Sequence, residues 1–234
     1  MFHLIGVNHR VSYVESGLSP TAEQVMFANC LNDAIARLKP TLIAEEQNQE
    51  WLKGKTSITV ALARASMVPV LLCDPGKCER RTMGYRDSYE LQNSLRKAFP
   101  RFSASEIEIR AEAIEVAREY GKREEFWIKS IVGENTTTTI FICGDAHIDK
   151  FRERLLDRWI PSEVIARELG MTEEQRNTFA KVKCILAGNP SIDVVDSIEP
   201  NNESCARKNF KTQDLYSCPS MRIRETDRIN LRIF

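Results

Sequence analysis

Histidine is scarce in this sequence, with three imidazoles in 234 residues. Net charge is absent as well: 33 Lys and Arg balance 33 Asp and Glu. That balance excludes both the global basic field of a nucleic-acid coat and a polybasic membrane-surface face. No stretch reaches the ~20 apolar residues of a membrane span. The opening MFHLIGVNHR lacks a charged segment followed by a long apolar one, so no signal peptide is expected. The seven cysteines are an odd number, scattered too widely for a disulfide scaffold. These absences predict a cytoplasmic protein with reduced thiols, without nucleic acid or membrane among its partners.

What remains is a chain long enough for one large α/β domain with an appendage. Phe2–Val7 is an apolar run of strand length. The stretch after Ser19 carries Val25, Phe27, Ala28, Leu31, Ile35 and Leu38 at helical spacing, with Ser19 or Thr21 as cap and Pro40 as stop. TLIAEE (41–46) reads as a second strand ending in carboxylates, and the segment after Thr56 as a helix. VPVLLCDP (68–75) reads as a third strand ending at Asp74, followed by a polar loop. A long helix is expected over 105–131. TTTTIFICGDAH (136–147) reads as a fourth strand, and IDKFRERLLDRW as its following helix. Strand and helix thus alternate through residues 1–157. Strands apolar on both faces predict a mostly parallel sheet flanked by helices, with a small helical or irregular C-terminal extension. Residues 158–196 are expected to be a helical segment packing on the core, broken at Gly170, with Thr172 and Gln175 forming a capping box. Residues 197–234 are polar and breaker-rich, an irregular tail with a candidate hairpin near its end.

In such sheets ligands bind beyond the carboxyl ends of the strands. Each predicted strand delivers chemistry there. The first gives Asn8 and His9, the second Glu45 and Glu46, the third Asp74, and the fourth Asp145 and His147. Two of the three histidines stand in one setting, GVNH (6–9) and GDAH (144–147): apolar run, Gly, two residues, His. Imidazole with carboxylate suits a divalent metal such as Zn, Mn or Fe, held by His9, His147 and Asp74 and leaving a position open for water. Without metal the same groups make a Glu–His acid/base pair. Glu45 and Glu46 are neighbours on a strand and point oppositely, so one of them faces the site. His3, inside the first strand, is expected to be a buried or sheet-face histidine.

Three places carry a family resemblance. GVNH, REEFWIKSI (123–131) and FICGDAH (141–147), in this order over about 150 residues, resemble the motifs of the TraB/PrgY/Tiki superfamily, distantly related to erythromycin esterases and ChaN-type proteins. LIAEE fits the acidic residue after the family's second strand. The resemblance implies an α/β fold and, for several members, metal-dependent hydrolysis of a peptide or ester bond. It brings Arg123 and Glu124 to the site beside His9, His147 and Glu45 or Glu46 as catalytic candidates. Trp127 departs from the pattern, standing where a smaller residue is usual. A non-catalytic protein binding a small molecule or metal in the same cleft is the alternative function.

Two further features lie near the third strand. Cys73 and Cys78 flank Asp74 without a second pair to complete a zinc site, and read as a core and a loop cysteine. ERRTMGYR (79–86) concentrates arginines. Arg80 and Arg81, with Asn8 and Asp145, are the candidate substrate-binding residues, for a small-molecule or peptide substrate.

Overall fold

The computed structural model describes residues 1–134 and 136–188. Its centre is a five-stranded parallel sheet. The strands are β1 (Phe2–Val7), β3 (Leu42–Glu45), β5 (Val70–Leu72), β6 (Thr139–Gly144) and β7 (Ser162–Leu169), in the spatial order β5-β3-β6-β1-β7. β6 enters between β1 and β3. Three carboxyl ends therefore lie side by side, with that of β5 next in line. A two-stranded antiparallel pair, β2 (Tyr13–Glu15) with β4 (Lys55–Ser57), stands apart from this sheet.

Helices cover both faces. On one, α1 (Ala22–Leu38) and α2 (Ile58–Ala65) pack Phe27, Leu31, Ile35 and Ala63 against Ile5, Val7, Ile43, Ile140 and Ile142. On the other, α6 (Tyr120–Val132) and α7 (Ile148–Leu156) pack Trp127, Ile131, Phe151 and Leu155 against Leu4, Ala44, Phe141 and Cys143. The period-2 alternation of β1 and β6 feeds both cores, which is why these strands read as unbroken apolar runs. Each fully buried Leu, Ile or Phe contributes roughly 1.5–3 kcal/mol of hydrophobic transfer. Thr21 caps α1 with Gln24 in a capping box, and Lys39 ends it in the left-handed conformation (φ 46°) before Pro40.

A third helical group lies beside the sheet: α3 (Lys77–Thr82), α4 (Ser88–Ala98), α5 (Ala104–Ile114) and α8 (Glu173–Gly188). Leu91 and Leu95 of α4 pack on Ile107, Ala111 and Ile114 of α5. α5 does not run straight into α6. A π-helical turn, Glu115–Glu119, separates them.

Three expectations are corrected. Residues 162–169 form strand β7 rather than helix, hydrogen-bonded to β1 with two register shifts. Part of the stretch expected as loop after β5 is the helix α3. The single long helix over 105–131 is α5 and α6 joined by the π turn. The capping box at Thr172 and Gln175 is present. The candidate hairpin and Cys205 and Cys218 lie outside the described residues. The five described cysteines are free, Cys73 buried and Cys78 exposed. Among the described residues no helix is long and apolar enough to cross a membrane.

Candidate active site

The two Gly-x-x-His motifs interlock. β1 and β6 pair in register, Gly6 opposite Cys143 and Val7 opposite Gly144. A Cβ on Gly144 would stand 2.9 Å from His9 Nε2, and a Cβ on Gly6 would stand 2.2 Å from Asp145 Oδ1. Each glycine thus clears the space occupied by a polar side chain of the other motif. After each glycine the chain turns out of the sheet through a short 3-10 turn, His9–Val11 and Asp145–His147.

The two imidazoles converge on Glu46. His9 Nε2 lies 3.4 Å from Glu46 Oε2, and His147 Nε2 lies 3.6 Å from Glu46 Oε1. Glu46 is buried. Its Oε2 accepts the Gly144 backbone N–H at 2.7 Å, and its Oε1 accepts an N–H of the Arg123 guanidinium. Burial alone would raise the pKa of this carboxyl. Arg123 first, then His9, overcome that and hold it well below the usual carboxylate range. Arg123 also donates to Asp74 Oδ1 at 2.7 and 3.0 Å, and the Trp127 indole N–H donates to the same oxygen at 3.2 Å. Asp74 Oδ2 accepts from Arg80 at 2.5 Å.

His147 is packed on all sides. Tyr120 stacks on its ring at 3.7 Å between centroids, and Trp127 meets it edge-on at 4.8 Å. Its Nδ1 lies 2.9 Å from Glu124 Oε1, and Glu124 is itself fully buried and bonded to Arg154 at 2.7 Å. A carboxylate accepts and cannot donate, so in the neutral ring the Nδ1 carries the proton and the Nε2 lone pair is on the Glu46 side. His9 differs. Its side chain is 44% exposed. Desolvation in the cleft wall lowers its pKa, but the charge and hydrogen bond of Glu46 outweigh this and the net shift is upward.

These groups line a cleft of about 620 Å³ at the carboxyl ends of the strands. Asn8, His9, Glu46, Asp74, Arg80, Arg123, Asp145 and His147 all reach it. Three predicted residues do not. Glu45 points to the opposite sheet face, where Ser57 donates to its Oε2 at 2.9 Å. Glu124 stands behind His147. Arg81 is exposed on α3. Asn8 donates to Gly170 O and Gln175 Oε1, and so ties the β1 exit to α8. Asp145 is held by Arg167 and the Glu168 N–H. His3 is buried with its Nδ1 2.7 Å from Glu163. Sequence reasoning missed Tyr13, Trp51, Lys55, Tyr85 and Tyr120 in the lining. Only the Tyr120 position had a visible signal, three residues ahead of Arg123 on one helix face.

Among the described residues no three His, Cys, Asp or Glu side chains are arranged to hold a metal ion. Both oxygens of Glu46 and both of Asp74 already accept N–H groups, and the Arg123 charge stands between the two carboxylates. As arranged, this donor set does not fit a divalent cation. Compared with known proteins, the chain matches no family model, no curated protein and no solved structure.

Proposed function

We propose that the cleft is the active site of a hydrolase that cuts a peptide, ester or similar acyl bond with its two imidazoles as acid and base. One observation carries the reading. The Nε2 atoms of two cleft-lining imidazoles stand at the two oxygens of a single buried carboxylate, and one of these imidazoles is oriented from behind by a second buried carboxylate. The ordered Gly-x-x-His motifs and their resemblance to a superfamily with hydrolase members point the same way.

His147 is the general base. Glu124 fixes its tautomer and Tyr120 its plane, so Nε2 takes a proton from water as the water oxygen bonds to the acyl carbon. His9, whose protonated form the Glu46 charge favours, faces the developing oxyanion and gives its proton to the leaving group as the acyl bond breaks. After the acyl bond is cut, His147 releases its proton to solvent and His9 takes one from solvent, which resets the pair. Arg123 holds Glu46 ionised throughout.

The test is turnover of a chromogenic ester and peptide panel by the wild type, His147→Ala, His9→Ala and Glu124→Gln, with and without chelator. The expected result is activity that survives chelation, falls at least ~10²-fold in His147→Ala, and drops in kcat rather than KM in Glu124→Gln. Silence across the panel, with small molecules still raising the melting temperature, would make the cleft a binding site instead. Activity that needs added Zn, Mn or Fe would overturn the metal-free acid/base assignment.

A further inference from the structure

The cleft wall away from the imidazoles is aromatic and contains one amine whose charge is uncommitted. Tyr13, Trp51, Tyr85 and Tyr89 line it, with Trp51 and Tyr89 more than half exposed. Of the lining cations, Arg80 and Arg123 are paired with Asp74 and Glu46, and His9 with Glu46. Lys55 is different. It stands directly opposite Glu15 across the β2–β4 pair, where a cross-strand ion pair is available. Among the described residues it makes no such pair. Its Nζ lies instead 4.0 Å above the Tyr13 ring, half-buried and on the cleft. The acids of this wall have donors of their own: Glu115 accepts from the Tyr85 hydroxyl, and Asp87 from the Glu90 N–H.

We infer that Lys55, with Tyr13 and Trp51, is the specificity subsite of the cleft, and that the substrate is an acyl compound bearing a free carboxylate next to a flat or apolar group. An ammonium held over an aromatic face by its methylene stem keeps N–H donors free for an incoming anion. The Tyr13 and Trp51 faces supply the apolar surface that such a group covers. A carboxylate here forms a charge-assisted hydrogen bond in a partly desolvated setting, the kind that raises affinity on the order of tenfold or more. The inference rests on the hydrolase reading for the word substrate, but not for the ligand chemistry.

The experiment separates the two. N-acetylphenylalanine and its neutral amide are titrated calorimetrically into wild type, Lys55→Met and Lys55→Arg. In parallel, a 4-nitrophenyl monoester of glutarate and its methyl-capped analogue are assayed for hydrolysis. The acid is expected to bind the wild type at least tenfold more tightly than the amide. That preference should collapse to within about twofold in Lys55→Met and return in part in Lys55→Arg. Equal binding of acid and amide by the wild type, or a preference that survives Lys55→Met, overturns the subsite. Lys55-dependent binding without turnover of either ester sinks the hydrolase reading alone. Turnover of both esters at equal efficiency sinks the subsite alone.

Discussion

His9 Nε2 occupies the space that a methyl group on residue 144 would need: a Cβ built on Gly144 falls 2.9 Å from it and 3.5 Å from Glu46 Oε2. The second motif's glycine is therefore a seat for the first motif's imidazole. Gly6 does the same for Asp145. The repeated Gly-x-x-His pattern has a packing cause. Two neighbouring parallel strands in register must each give up a side chain so that the polar residue leaving the other can cross above it.

Substituting the two glycines should separate stability from chemistry. In Gly144→Ala the obstructed atom is the end of a half-exposed ring that is free to swing away. The fold should lose under ~1 kcal/mol while hydrolysis falls at least ~10-fold, because His9 leaves Glu46. In Gly6→Ala the new Cβ meets Asp145 at 2.2 Å and Ile148 at 3.0 Å. Asp145 is held by Arg167 and the Glu168 N–H, so it does not yield cheaply, and about 1–3 kcal/mol of stability should be lost. Urea denaturation of both variants checks the order. A larger loss in Gly144→Ala than in Gly6→Ala would contradict the interlock.

Arg123 is the charge on which two buried carboxylates depend. Arg123→Met leaves Glu46 and Asp74 without their shared cation and should cost about 3–5 kcal/mol. Lysine should rescue little, because one ammonium cannot reproduce the fork that reaches both acids. Adding Glu46→Gln to Arg123→Met should recover part of the loss, since the buried carboxylate that Arg123 chiefly compensates loses its charge with it, whereas Asp74 still has Arg80. A double-mutant cycle by chemical denaturation measures that coupling, and strict additivity would mean the network is not energetically connected.

The sheet's central strands and most of the cleft were legible because burial on both faces writes a continuous apolar run, and strand ends in parallel sheets share one edge. Strand β7 was not. Five of the eight residues of its sequence, SEVIAREL, are Glu, Ala, Arg or Leu, all good helix formers. It lies at the sheet edge, partly exposed and with shifted register, so no apolar run marks it. Tertiary pairing with β1 overrides local propensity there. The π turn at Glu115–Glu119 is equally silent in sequence, yet it stands between α5 and α6 where Glu115 and Tyr120 enter the cleft. Glu45 and Glu46 divided between the two sheet faces as a strand requires. Which one faced the site depended on register alone, and no composition signal carries that.

Glu45 predicts an unusual pH dependence of stability. Its carboxyl is buried, its Oε1 has no hydrogen-bond partner among the described residues, and desolvation pushes its pKa up to about 7 from 4.5. Between these values the unfolded chain has released the proton while the folded one keeps it. Stability should therefore fall as pH rises from about 4.5 to about 7, then level off, by roughly 3 kcal/mol in total. Glu46 acts in the other direction and in a different window. Its depressed pKa supplies stability that is lost only as pH falls below about 4.5. Denaturation across pH 4.5–7.5 should show the slope in the wild type and its loss in Glu45→Gln. The same slope in both would move its origin elsewhere.

The acid role of His9 fixes the alkaline side of the activity profile. Glu46 raises the imidazole's pKa above its ordinary 6.5, against the opposing effect of desolvation. His9 must be protonated to donate to the leaving group, so kcat/KM should decline as pH rises through a value above 6.5. Glu46→Gln removes the charge that holds this proton while keeping the shape of the side chain. The declining limb should then move to lower pH, and His9→Ala should abolish it while lowering the maximum. A pH–rate profile of the three proteins on one neutral ester decides the matter. A limb that stays in place when Glu46 is neutralised would show that some other group, and not the His9–Glu46 pair, supplies the acid.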